Sequence, residues 1–435
     1  MGTTIDFHAC MAYCDFDYLP EGLERKYKNY VPDDRALLIP REFLSGLYER
    51  HQVPEHARLL IDQGIEAIEN DSVLFSFTKF LTADMCTARN RCDDDFYKDM
   101  KPGCMKELRD RYSFILLLAC IRPSLSMLEE RGVPIAYYEG IPHQFLKGQF
   151  EKIIGKSDFN VHDFPWVMNF YTCSIFLLDR FYFIPHRFED SFTLYRHQDS
   201  REVVALMHAD EEFRSDGQVN GINGVYDSEG TFRSEWREDD GAITANRINP
   251  MGFVERDLIT LEKREWDPAL HKGDMMLALH IPSGPGYTPE RIKTSMAMAI
   301  AFYERYFPEL AIRGFWSESW LYDSRLSLIL DPEKSNIVKV QRQFYNYPIR
   351  EGDGMLRQEV FGDRNAEPSS SSRQETTLQK AVLNYMKSGA RFNTMSMVVL
   401  KEEVDRIGDM PYISTSDIEK FLETVDSHLA GRRPA

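Results

Sequence analysis

The sequence predicts an α+β chain: a helical N-terminal domain at about 1–170, a mixed-sheet α/β domain at 171–412, and a C-terminal helix and tail at 413–435. Three observations carry this. From Pro40 to Asp179 apolar residues recur every three or four positions, in segments parted by proline, glycine or charged clusters. From Phe181 the period falls to two, and glycines with Asp-Gly turns part the segments. Between them in style, Gly273 to Leu321 runs strand, glycine turn, helix, strand, which is the order of an α/β unit.

The helical part begins after a mixed, aromatic stretch without a clear period. Helices are expected at Glu42–Arg50, Pro54–Ile68, Ser72–Thr87 and Met105–Ile121, with Pro123 interrupting the last and a short helix continuing to Arg131. Two more follow at Ile141–Ile154 and Pro165–Asp179. Phe75, Phe77 and Phe80 sit at helical spacing and read as core.

In the sheet part, Phe192–Arg196 and Glu202–Ala209 alternate as strands. Gly217, Gly221, Gly224 and Gly230 mark a long turn-rich loop, and Trp236–Ile248 reads as a hairpin around Asp239-Asp240-Gly241. His186, His197 and His208 are scattered here and read as surface or satisfied core residues. Further on come a short helix at Ser324–Leu330, a strand at Ile337–Tyr347, a Pro-Ser-rich loop at Arg364–Glu375, a helix at Thr377–Lys387 and a strand at Met395–Leu400 that closes the sheet. Thr415–Leu429 is amphipathic and is expected to dock on its own chain.

The chemistry concentrates in Gly273–Leu321. Met275–Leu279 is a continuous apolar run of strand length, so it is expected to be covered on both faces. A turn at Ser283-Gly284-Pro285-Gly286-Tyr287 leads to Thr288, an N-cap, and Pro289 at the first helical position. Ile292, Met296, Ile300 and Tyr303 make one apolar helical face. A helix start that opens from a glycine loop offers unbonded N–H groups and the positive end of the dipole, which suits a phosphate; the plain alternative is that the glycines only turn the chain. Arg291 and Lys293 lie in the first turns, where acids are usual, and an anion would explain them. In Gly314–Leu321, period two places Trp316, Glu318 and Trp320 on one face. A carboxylate between two tryptophans on a central strand needs a partner or a task, so Glu318 is expected to have a shifted pKa.

Composition bounds the function. The 435 residues, 43% hydrophobic and 12% aromatic, give two or three globular domains. Lys and Arg total 52 against 69 Asp and Glu, so the net charge of −17 disfavours nucleic acid and anionic membranes and tolerates a cationic or amine-bearing substrate. The longest uncharged apolar run, Phe114–Ile121, is too short to span a bilayer, and no stretch has the order of a signal peptide, so the expected location is cytoplasmic. Seven cysteines, an odd number, fit reduced thiols. His8, Cys10 and Cys14, with Cys86, Cys92 and Cys104 further on, lack the paired spacing of a zinc site, and no metal is expected.

Read in order, the segments HIPSG, FYERYFPE, SWL and SNIVKVQRQFY resemble an acyltransferase-domain family that joins a helical N-terminal domain to a GNAT-like C-terminal domain, and the likeness runs from about Pro134 to Tyr412. Phe164-Pro165-Trp166 and Asp179–Phe183 are similar to the junction between the family's domains, where Arg180 would be a structural ion-pair partner. The resemblance implies CoA-dependent acyl transfer to an amine, with acyl-CoA, acetyl-CoA in the simplest case, as co-substrate and no covalent enzyme intermediate. It implies Glu318 as base with His280 as the alternative, Tyr322 as acid toward the leaving thiolate, and the N–H of Ile281 or Ser283 as oxyanion donor. Gly284, Gly286, Tyr287 and Thr288 would hold the pyrophosphate, with Arg291 nearby. The acceptor would be a small-molecule or peptide amine. One departure favours a rival, a GNAT-like binding or regulatory module without turnover: Ile281 stands where the fold's usual pattern has Arg or Gln, whereas the polar residues of the second strand favour the enzyme; Pro285 also removes an N–H from the loop that would cradle the phosphates. There is no G-x-S-x-G, H-E-x-x-H or P-loop motif, and Cys173 falls in an apolar helical stretch away from any positioned histidine.

Overall fold

The computed structural model describes residues 6–31, 37–87, 97–227, 229–365, 367–369 and 371–431. It divides into two compact units, Met1–Leu177 and Leu178–Ala435.

The first unit is helical: α1 (Phe7–Cys14), α2 (Leu23–Tyr27), α3 (Arg41–Arg50), α4 (Glu55–Glu69), α5 (Ser72–Thr87), α6 (Tyr112–Glu130), α7 (His143–Lys156) and α8 (Phe164–Tyr171). The apolar stripes do what their spacing requires. Phe77 and Phe80 are buried and meet Tyr27 with ring centroids 5.7 and 5.0 Å apart. Contrary to the sequence reading, α6 runs straight through Pro123. Proline inside a helix costs about 3 kcal/mol. Against this, Phe114, Ile115, Leu116, Leu117, Leu118 and Ile121 are all almost fully buried, at roughly 1.5–3 kcal/mol each. Packing wins. By length and composition Gly103–Glu130 is apolar enough to cross a membrane, and 67% of its apolar window is buried in the fold. The helix expected over Pro165–Asp179 stops at Tyr171, because Cys173 adopts a left-handed φ of 48° and turns the chain into a strand. The six described cysteines are free thiols, and Cys92 lies outside the described residues.

The boundary falls within β1 (Phe176–Leu178), and the second unit continues with β2 (Phe181–Arg187), β3 (Phe192–His197), β4 (Val203–Met207), β5 (Glu212–Phe213), β6 (Phe232–Arg233), β7 (Trp236–Glu238), β8 (Ala242–Asn249), β9 (Phe253–Glu262), β10 (Trp266–Leu270), β11 (Met275–His280), α9 (Pro289–Tyr306), β12 (Gly314–Ser319), α10 (Asn336–Gln341), β13 (Tyr345–Pro348), α11 (Gly354–Phe361), α12 (Thr377–Lys387), β14 (Met395–Leu400) and α13 (Thr415–Gly431). The main sheet has the order β1-β2-β11-β12-β14-β13, and a second sheet has the order β10-β3-β4-β8-β7 with β9 paired to β8. In the main sheet β11 and β12 are parallel, while β2, β14 and β13 pair antiparallel with their neighbours.

Three expectations change here. Ile337–Tyr347 is not one strand: Ser335 caps α10, which carries Val338 and Val340 into the core, and only Tyr345–Pro348 is extended. β-branched residues favour strands, and a good cap with two buried valines outweighs that preference. Met395–Leu400 does not close the sheet; it lies inside it, between β12 and β13, with all six residues buried. Finally, β9, β10 and α11 lie in stretches the sequence left unassigned. The C-terminal helix docks on the second unit as expected, through Lys420 Nζ to Glu255 at 2.7 Å, Arg247 to Asp417 at 2.8 Å and the Phe253–Phe421 ring contact.

One face of the main sheet packs on α9. Ile292, Ser295, Met296, Ala299 and Tyr303 are buried on that helix, the Tyr303 hydroxyl donates to the Phe183 carbonyl at 3.2 Å, and Phe183 and Phe315 meet edge to face. The alternation of strand side chains fixes the other face, which carries Tyr182, Ile184 and His186 of β2, Ala278 and His280 of β11, Trp316 and Glu318 of β12, and Tyr347 of β13.

Candidate active site

The two strands at the centre pair with unequal persistence. β11 keeps register with β2 over six residues, Met275 to His280. With β12 it shares only Leu277 with Phe315 and Ala278 with Trp316. Past that point the strands part. The Leu279 carbonyl then accepts the Ser317 hydroxyl at 2.8 Å, and the Tyr322 hydroxyl donates to Ser317 Oγ at 2.9 Å. Ser317 and Tyr322 thus fill the fork on the α9 side. Burial pushes the hydroxyls of both Tyr322 and Tyr287 above their usual range, with the nearby Tyr322 hydroxyl adding to the shift on Tyr287.

The loop after β11 holds the residues the sequence assigned to a phosphate. Gly284 and Gly286 adopt φ values of 111° and 98°, which a side chain resists. Thr288 caps α9, its hydroxyl accepting from the Arg291 N–H, and Pro289 follows at the first helical position. The N–H groups of Ile281, Ser283, Gly284, Gly286 and Tyr287 have no hydrogen-bond partner among the described residues. Arg291 differs from expectation: its guanidinium pairs with Asp179 at 3.0 Å, so its place in the first turn has an internal explanation. Lys293 likewise donates to the Asp405 carbonyl.

On the opposite face the expected residues are placed differently from the sequence reading. Glu318 shares its face with Trp316, as period two requires, but it is exposed. Trp320 has left the strand for a 3-10 turn and is buried in a separate cluster with Leu326, Leu356 and Phe392. No pair of tryptophans encloses the carboxylate. A half-buried acid on this face is Asp190, in the loop after β2. Its carboxylate accepts from the Tyr347 hydroxyl at 2.6 Å and from Trp316 Nε1 at 3.0 Å. Burial nevertheless holds its pKa above the usual aspartate value. His186 stacks on Trp316 with centroids 4.0 Å apart. Burial holds His186 at about 4, and burial with the neighbouring His186 holds His280 at about 4 as well, so both rings are neutral at pH 7.

Sequence reasoning missed His186, Asp190 and Tyr347, and gave Arg180 only a structural role. Arg180, His186 and Asp190 come from the one stretch around β2 and Tyr347 from β13, and none had a local signal because their partners are distant in sequence. No group of three or more His, Cys, Asp or Glu arranged to hold a metal occurs among the described residues.

The family described as GNAT-like C-terminal domain matches residues 165–399. Solved structures with a similar fold include an acyltransferase in complex with decanoyl-CoA and teicoplanin, 17% identical, covering 91% of this chain and 99% of that one with a TM-score of 0.48. Another is an acyltransferase in complex with CoA and 10C-teicoplanin, 16% identical with the same coverage and a TM-score of 0.47. No curated protein sequence matches the chain.

Proposed function

The chain belongs to the family with a GNAT-like C-terminal domain, and on that premise we propose that it is a CoA-dependent N-acyltransferase, moving an acyl group from acyl-CoA to an amine on a small molecule or peptide in the cytoplasm. One observation carries the reading: β11 and β12 part after two shared positions, beside a loop whose N–H groups are open. A parted pair of strands leaves main-chain groups for a thioester arm, and open N–H groups at a helix start suit a diphosphate.

The reaction needs little from the protein beyond placement. The amine nitrogen attacks the thioester carbonyl, and the oxygen that becomes negative is met by the Ile281 N–H at the end of β11, which leaves the Ser283 N–H for the diphosphate. The amine proton passes to Glu318, whose exposed carboxylate hands it to water. His280, neutral at pH 7 and a weak base with its pKa near 4, accepts a hydrogen bond from the amine rather than its proton. As the C–S bond breaks, the thiolate leaves. Burial makes Tyr322 a poor acid and its one O–H already donates to Ser317, so water supplies the proton to the thiolate.

A second reading is an acyl-CoA-binding or regulatory protein without turnover, favoured by the way Ser317 and Tyr322 hold the fork. Thermal shift and free-thiol release separate the two, with acetyl- to decanoyl-CoA and a pool of amines. Turnover by the wild type that falls about 10²-fold or more in Glu318→Ala is the enzyme result. Stabilisation without thiol release is the binding result, and no stabilisation by any acyl-CoA overturns both.

A further inference from the structure

We infer that Arg180 is a positioning residue for the co-substrate's diphosphate: it gathers the carbonyls of the glycine loop to one side and so presents the loop's N–H groups on the other. The inference rests on acyl-CoA being the co-substrate. Arg180 follows Asp179 in the turn between β1 and β2, where Asp179 adopts a left-handed φ of 61°. Its Nε donates to the Pro285 carbonyl at 2.7 Å, and its Nη2 donates to the carbonyls of Pro282 at 2.7 Å and Gly284 at 3.0 Å. A guanidinium suits this because its donors are held in a rigid, planar fork.

The turn is itself fastened to α9. The Arg180 N–H donates to Ser295 Oγ at 3.2 Å, Ser295 Oγ donates to Asp179 Oδ2 at 3.0 Å, and Asp179 Oδ1 takes Arg291. Loop, turn and helix start are therefore one braced unit.

Peptide geometry gives the consequence. The carbonyl of residue i and the N–H of residue i+1 belong to one planar trans peptide and point in opposite directions. Fixing the Pro282 and Pro285 carbonyls on Arg180 therefore turns the N–H groups of Ser283 and Gly286 away from it, and both are open. The same geometry explains why Pro285 is tolerated. Its peptide presents only the Gly284 carbonyl, which Arg180 already takes, so the missing N–H removes no donor from the side that faces a ligand. The guanidinium charge behind the loop adds to the positive potential of the helix start.

The test compares two thioesters, acetyl-CoA and S-acetylpantetheine, which lacks the diphosphate, on the full chain as wild type, Arg180→Ala and Arg180→Lys. The expected result is a KM for acetyl-CoA raised about tenfold or more in Arg180→Ala, since several hydrogen bonds to a charged group are lost. Arg180→Lys falls between, because an ammonium cannot hold three carbonyls in one plane. With S-acetylpantetheine all three proteins should have the same kcat/KM. Equal losses on both thioesters would make Arg180 merely structural, and no loss on either would end the inference. A wild type that uses acetyl-CoA no better than S-acetylpantetheine would instead sink the co-substrate reading on which the inference stands.

Discussion

Lowering the pH should destabilise the protein through His186 and His280. Each is held at about 4 in the fold, against about 6.5 in an unfolded chain. A depressed histidine pKa means that the unfolded chain binds more protons between those values, so stability is full above pH 6.5 and falls as the pH drops toward 4. One unit is 1.36 kcal/mol, so the full gap corresponds to about 3 kcal/mol for one ring. The charge of His186 acts on His280, so their protons are coupled and the effects do not simply add. Asp190 works the other way, because its raised pKa stabilises the fold as the pH falls. A comparison of wild type with His280→Gln isolates the histidine effect. Urea unfolding at pH 7, 6, 5 and 4.5 should show the wild type losing about 2–3 kcal/mol more than the variant across that range. Parallel pH profiles, or a His280 ring that titrates near 6.5 by NMR, would refute the reasoning.

Other outcomes follow from the backbone. A Cβ at Gly314 would lie 2.1 Å from the Val399 carbonyl and 2.9 Å from the Leu400 Cα, both main-chain atoms of β14. Gly314→Ala should therefore cost about 2–4 kcal/mol by urea denaturation, since the strands must move apart; a loss under 0.5 kcal/mol would contradict the β12–β14 register. Gly286 holds a φ of 98°, and Gly286→Ala should weaken CoA binding about tenfold in calorimetry while lowering stability by only about 1 kcal/mol. Unchanged affinity would show that the loop conformation does not matter to the ligand.

The parts of the fold legible in the sequence are those set by neighbours along the chain. Thr288, Pro289 and the face of Ile292, Met296 and Tyr303 announced α9, because a cap and a helical stripe are local signals. Met275–Leu279 announced β11 for the same reason, being apolar on both faces. What failed depends on distant partners. Glu318 was placed on the right face by period two, but its exposure depends on what covers the end of β12, and Trp320 leaves the strand. Arg291 looked like an anion ligand until Asp179 appeared beside it. Asp190 is drawn into the site by Trp316 and Tyr347, residues 126 and 157 positions away, which no local pattern records.

Amide hydrogen exchange across Ile281–Thr288, with and without saturating CoA, tests most directly whether the loop receives a diphosphate. The N–H groups of Ser283 and Gly286, open in the free protein, should exchange markedly more slowly once CoA is bound, while the exposed turn at Asp239–Gly241 stays unchanged. Exchange at those two amides that is the same with and without CoA, under conditions where CoA binds, would contradict the site described here.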